Sequence, residues 1–135
     1  MESFNELTLF IAEAEFNGHT FNCLPFDGEQ EVLQVLVSDL DEIPVYVTVT
    51  EEQILCIGYL FNESEIREEQ RPQLHEQMLE ANVAMPLSSF AKIGNQYAVY
   101  GALSRTSKPE NILREIVVLA QNARDALEAL EEYLA

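Results

Sequence analysis

Two histidines, two cysteines and three pairs of adjacent glutamates are the residues of this 135-residue chain whose types could support chemistry. A zinc site needs three or four nitrogen and sulfur ligands gathered at short spacing. His19 and His75 each stand alone, far from any second His or Cys in the chain. His19 reads as a surface residue after a turn, and His75 as the polar side of a helix. Cys23 and Cys56 lack a C-x-x-C spacing and sit in apolar stretches, which fits reduced core thiols. Glu51-Glu52, Glu68-Glu69 and Glu131-Glu132 could share a proton only if their side chains converged. Neighbouring residues on a strand or helix point apart instead. Asp27-Gly28-Glu29 and Asp39-Leu40-Asp41-Glu42 lack the alternating carboxylates of a calcium loop. Ser88, Ser89 and Ser104 lie outside any G-x-S-x-G turn, and no glycine-rich phosphate loop exists. The expectation is a protein that is not an enzyme, with no catalytic, metal-ligating or cofactor-binding residue.

Charge gives the next constraint. The chain carries 24 acidic and 7 basic side chains, a net charge of −17. Such a surface has no general means of neutralising phosphates, so direct nucleic-acid binding is disfavoured, and an anionic bilayer would repel it. All seven basic residues follow position 66, whereas residues 1–66 hold 14 acids and no Lys or Arg. The acidity therefore belongs to the first half, either as a solubilising surface or as an anionic docking surface for a basic partner. No apolar run approaches the roughly 20 residues of a membrane span. The N-terminus Met1-Glu2-Ser3-Phe4 lacks a basic leader. A cytoplasmic protein without membrane insertion is expected. At 47% apolar residues the chain can build one core, so residues 1–135 read as a single domain.

The elements that would carry these residues follow from periodicity. Ser3-x-x-Glu6 fits a capping box, with Phe4, Leu7, Phe10, Ile11 and Ala14 on one helical face and Asn17-Gly18 as the stop. Strands are expected over 20–26, 31–38 and 43–49, the last beginning near Pro44 at a strand end or sheet edge. Ile54–Phe61 is apolar on both faces and reads as a central, covered strand. Pro72, Leu74, Met78, Ala81 and Val83 mark a short middle helix, followed by strands over 88–93 and 96–104 around Gly94-Asn95. Ser107-x-x-Glu110 fits a second capping box before a final helix running to Leu134. Ile112, Ile116, Leu119, Ala123, Ala126, Leu130 and Tyr133 form its first stripe, and Leu113, Val117, Ala120 and Leu127 a second. The short turns predict an α+β fold, an antiparallel sheet with helices, in the order α-β-β-β-(β)-α-β-β-α.

The segments Ala84-Met85-Pro86-Leu87-Ser88-Ser89, Tyr97-Ala98-Val99-Tyr100-Gly101-Ala102-Leu103-Ser104, Ile112-Leu113-Arg114-Glu115-Ile116 and Asn122-Ala123 carry a resemblance. Through them the chain resembles the YjfI-like family of bacterial proteins of unknown function, best over residues 80–135. The resemblance implies an accessory role beside phage-shock-protein-A-like membrane-stress proteins. The element order is similar to that of type III secretion chaperones, which implies a homodimer that holds a segment of a partner protein in extended form.

The leading expectation is thus a non-enzymatic, chaperone-like protein-binding module, with a phage-shock-protein-A-like protein as one candidate partner. Phe4, Phe10 and Ile11 on the first helix, and Leu113, Val117 and Leu127 on the last, are the candidate partner-binding residues. The alternative is an acidic regulator that mimics nucleic acid and occupies the groove of a DNA-binding protein. That alternative needs the carboxylates of residues 1–66 on one contiguous face.

Overall fold

A computed structural model describes residues 3–135; the Met1-Glu2 part of the N-terminal reading lies outside them. The first helix, α1 (Phe4–Glu13), starts where the Ser3 hydroxyl accepts the Glu6 N–H at 3.1 Å, the Ser half of the expected capping box. Asn17-Gly18 does not stop this helix, which ends at Glu13. The dipeptide instead turns a hairpin between β1 (Glu15–Phe16) and β2 (His19–Phe26), with φ of 49° and 82°. Both positive angles fit a two-residue turn whose twist matches that of its strands.

Strands β3 (Val32–Val37), β4 (Val45–Val49) and β5 (Gln53–Asn62) continue an antiparallel meander. Pro44 immediately precedes β4, so it marks a strand end, and β4 itself is internal to the sheet. Two 3-10 turns lead to α2 (Arg71–Asn82), with Pro72 in its first turn. Strands β6 (Ser89–Ile93) and β7 (Gln96–Ser104) form a hairpin, and β7 returns to pair with β5. The seven strands stand in the order β1-β2-β3-β4-β5-β7-β6, all neighbours antiparallel. The fold is α+β as expected, with the short β1 as an additional strand.

Helix α3 (Pro109–Leu130) carries most of the cover. Ile112, Ile116, Leu119, Ala123 and Ala126 pack with Leu7 and Ile11 of α1 onto Val35, Val45, Val47, Ile54, Cys56 and Val99 of the sheet. Leu74 and Met78 of α2 join Phe61, Tyr97 and Leu130 in a second cluster. All three helices therefore cover the same face. The second capping box is not made: Lys108 is the N-cap of α3 and contributes no side-chain hydrogen bond. The α-helix ends at Leu130 in a 3-10 turn rather than running to Leu134. Val83, expected on the buried side of the middle helix, follows α2 and is 92% exposed.

One-sided cover changes the reading of β5. Ile54, Cys56 and Gly58 are buried beneath the helices, whereas Leu55 and Ile57 are half-buried and Tyr59 is exposed. Apolar residues on both faces here mark a strand with one packed and one open face. Ile116→Ala, deep under α3, should cost about 2–5 kcal/mol. Val83→Ala should stay within about 0.5 kcal/mol of the parent, both read from urea unfolding midpoints.

Candidate functional site

Alternation within each strand sends every second side chain to the face that, among the described residues, no helix covers. The registers align Leu24, Gln34, Tyr46, Ile57 and Tyr100 in one row across five strands, and Phe26, Val32, Thr48, Leu55 and Ala102 in the next. Of the nine exposed large hydrophobics among the described residues, five lie on this face: Leu24, Phe26, Tyr59, Ile93 and Tyr100. Leu24 is 51% and Phe26 46% exposed. The rings of Tyr46 and Tyr59 stand 5.8 Å apart, and the Tyr46 hydroxyl donates to Gln34 Oε1 at 3.3 Å. Exposed aromatics that keep a polar tip are common anchors of protein interfaces, and a contiguous apolar patch on a soluble surface marks an interaction site.

The residues chosen from the sequence for partner contact lie on the other side. Phe4, Ile11 and Leu113 are buried in the core beneath the helices. Phe10, Val117 and Leu127 are half-buried and pack against that core. The wide apolar face of α3 is thus spent on its own sheet. Sequence reasoning missed Leu24, Tyr59 and Tyr100, although the alternation through β4 and β5 was the available signal.

Ten carboxylates of the first half lie in the connections between strands or just after β5. Asp27, Glu29, Glu31, Glu51 and Glu52 lie in the β2–β3 and β4–β5 connections at one end of the sheet. Asp39, Asp41, Glu42, Glu63 and Glu65 lie in the connections at the opposite end. The open apolar face thus runs between two anionic rims. His19 is not simply on the surface: its Nδ1 lies 2.8 Å from the Ser38 carbonyl. His75 Nε2 lies 2.7 Å from the Tyr97 hydroxyl, at a cavity of about 290 Å³ between α2 and β6 that Met78, Leu79 and Phe90 also line. Both cysteines are free; burial pushes the Cys23 thiol up to about 11 and the buried Cys56 thiol higher still. Among the described residues no His, Cys, Asp and Glu side chains gather as metal ligands.

The four segments that carry the family resemblance converge behind β7. Glu115 of α3 is 3% exposed, and a Cβ on Gly101 would lie 1.7 Å from its Oε1 and 3.1 Å from the Leu87 carbonyl oxygen. Glycine at 101 is what admits the carboxyl between helix and strand. Oε1 has no hydrogen-bond partner, and burial pushes the carboxyl up to about 7. About two turns further along α3, Asn122 Nδ2 donates to the Pro86 carbonyl at 2.8 Å and to Ser88 Oγ at 3.1 Å. Leu87 between them has a φ of 63°, strained for a branched side chain. The Met-Pro-Leu-Ser-Ser segment is therefore pinned to α3 by Asn122, a polar group at an apolar-stripe position of the helix. A Glu and an Asn spaced with Ile112, Ile116 and Leu119 were the sequence signal for this knot; both stood in the segments that carry the resemblance, without a structural role assigned to them.

Comparison with known proteins agrees with this architecture. The family model described as an uncharacterized protein conserved in bacteria, DUF2170, matches residues 2–134, and the chain belongs to that family. The match includes the first half, beyond the 80–135 region on which the sequence resemblance rested. The uncharacterized protein YjfI of Escherichia coli K12 is 31% identical over 110 residues, covering 78% of this chain and 81% of YjfI. YjfI of E. coli O157:H7 matches to the same extent, 31% over 110 residues. Among solved structures, E. coli YbjN, described as a candidate transcription regulator, superposes with a TM-score of 0.64 at 16% identity, over 98% of this chain and 94% of YbjN. A chain of the ExsC–ExsE complex superposes with a TM-score of 0.56 at 13% identity, over 95% of this chain and 96% of the other. The α+β fold is one that these neighbours share.

Two outcomes follow for the Glu115 knot. Its folded-state pKa lies above the ordinary 4.5, so its contribution to stability is complete below about pH 4.5 and is lost as the pH rises through 7. The unfolding free energy of the parent relative to Glu115→Gln should fall across that window by up to about 3 kcal/mol, measured by urea unfolding at a series of pH values. Gly101→Ala should destabilise by more than about 2 kcal/mol, and Glu115→Ala in the same chain should recover part of the loss, since the two changes share one space.

Proposed function

We propose that this protein is a non-enzymatic, chaperone-like binding module that engages another protein through the helix-free face of its sheet. The single observation behind this reading is the exposure of Leu24, Phe26, Tyr59, Ile93 and Tyr100, spread across that face. Each of these side chains leaves apolar area in water, and covering it with a partner gains about 25 cal/mol for every Å² removed. The fold shared with a chain of the ExsC–ExsE complex supports the same reading, because that neighbour is itself found in a complex with another protein. The two anionic rims would speed the approach of a basic partner and exclude acidic ones, acting on association rate more than on affinity. Acting in the cytoplasm as a homodimer belongs to this proposal through the chaperone resemblance. The partner to test first is a phage-shock-protein-A-like coiled coil, the one the family resemblance implies.

The test uses purified full-length chain and the purified coiled coil, with binding followed by calorimetry and any further partner identified from the native host treated in the same way. Leu24→Ser with Tyr100→Ser should weaken binding at least about tenfold, as expected for removing central anchors. Leu79→Ser, an exposed apolar change on α2, should leave the affinity unchanged. Raising the salt concentration should slow association. Equal binding by the sheet-face double variant and the parent would overturn the assignment of the face.

A further inference from the structure

The connection between α2 and β6 is held in a form that depends on one carboxyl group. Leu87 is kept at a φ of 63°, a conformation that leucine rarely adopts, while its side chain is 56% exposed and supplies little packing in return. The constraint comes from α3: Asn122 holds Pro86 and Ser88 on either side of Leu87. Between those two anchors the Leu87 carbonyl oxygen and the unpartnered Oε1 of Glu115 both border Gly101, 3.1 Å and 1.7 Å from where its Cβ would stand. A carboxylate there would place negative charge against a carbonyl dipole in a buried site. A neutral acid would present an O–H donor to the same carbonyl.

We propose that Glu115 is a proton-operated latch: as the neutral acid it donates to the Leu87 carbonyl and closes the Met85–Ser89 connection on α3, and on losing its proton it releases that connection and the adjoining edge strand β6. The proton leaves to solvent as the site opens, and returns with it on closing. From β5, the ionisable group that faces Glu115 among the described residues is the Cys56 thiol, neutral because burial and the Glu115 charge both raise its pKa. Gly101 from β7, Leu87 and Ser88 from the connection, and Asn122 on α3 itself bring no charge. Nothing facing the carboxyl therefore compensates its ionised form, and opening to water is the relief open to it. β6 is an edge strand paired only with β7, so its release needs the loss of one ladder rather than two. The Phe90 N–H is also held from outside the sheet by Asn82 Oδ1 at 2.7 Å. It therefore reports on the closed connection. This inference does not rest on the protein-binding reading, and its test contains no partner.

The experiment is amide hydrogen exchange on the full chain at pH 6, 7 and 8, with rates corrected for intrinsic base catalysis. Taking Glu115 from about 7 when closed to about 4.5 when solvated, the opening equilibrium should rise about tenfold between pH 6 and 8. Protection of the Ser89–Ala91 amides should fall by that factor while remaining below that of the core strands, which marks a local opening. Glu115→Gln, a permanent neutral donor, should show no such fall. Pairing of the protection loss with that of β4 and β5 would show whole-molecule unfolding and overturn the latch, as would an identical profile in Glu115→Gln. Should that variant not fold, a carbon-13 carboxyl titration of the parent decides: a midpoint near 7 supports the latch, and one near the ordinary glutamate value overturns it.

Discussion

Helix α3 packs closely on this sheet where two neighbouring strands each place a glycine beneath it. At Gly58 of β5 a Cβ would meet Leu119 Cδ2 at 3.2 Å and Ala123 Cβ at 3.6 Å. At Gly101 of β7 it would strike the Glu115 carboxyl. The missing methyl groups set the closeness of the helix, and with it the depth at which Ile112, Ile116 and Leu119 enter the core. The same approach fixes the Met85–Ser89 connection, because Asn122 can reach Pro86 and Ser88 only from a helix held that near. Packing of this density does not tolerate a small outward shift without loss across the whole contact.

With α1, α2 and α3 on one side, the sheet is a two-layer structure whose second face meets solvent. Ordinary antiparallel sheets of this kind dress the open face with polar residues. Here Leu24, Phe26, Tyr59, Ile93 and Tyr100 stand where polar side chains would satisfy water, and the carboxylates are displaced to the connections at the two ends. The acids named thus stand at the two ends of the sheet, and the exposed apolar residues lie between them. The large negative charge and the apolar face are two parts of one surface design, which the net charge of −17 alone does not reveal.

Much of this architecture is legible in the chain. Period-two alternation located β3 and β4, the Gly94-Asn95 dipeptide located the last hairpin, and the long stripe located α3. The local signals that misled were those with two physical outcomes. Asn17-Gly18 can end a helix or turn a hairpin, and the choice depends on whether residues 15 and 16 find a strand to pair with, as they do in β2. Ser107 can cap a helix only if the chain enters from the right direction, and here Lys108 takes the N-cap position. The candidate partner residues followed the same logic: a wide apolar stripe on a helix does not say whether a sheet or a partner will cover it. Phe4, Ile11 and Leu113 prove to be covered by the protein itself.

The sequence by itself determined most of the elements and their order. These are local properties, set by periodicity and turn residues. The tertiary structure alone decided which face of the sheet stays open, that ten acids of the first half divide between opposite ends, and that Glu115 meets Gly101 and Leu87. Each of those outcomes depends on pairing or packing between residues far apart in the chain, where the register of β5 with β7 and the side on which α3 docks choose the neighbours.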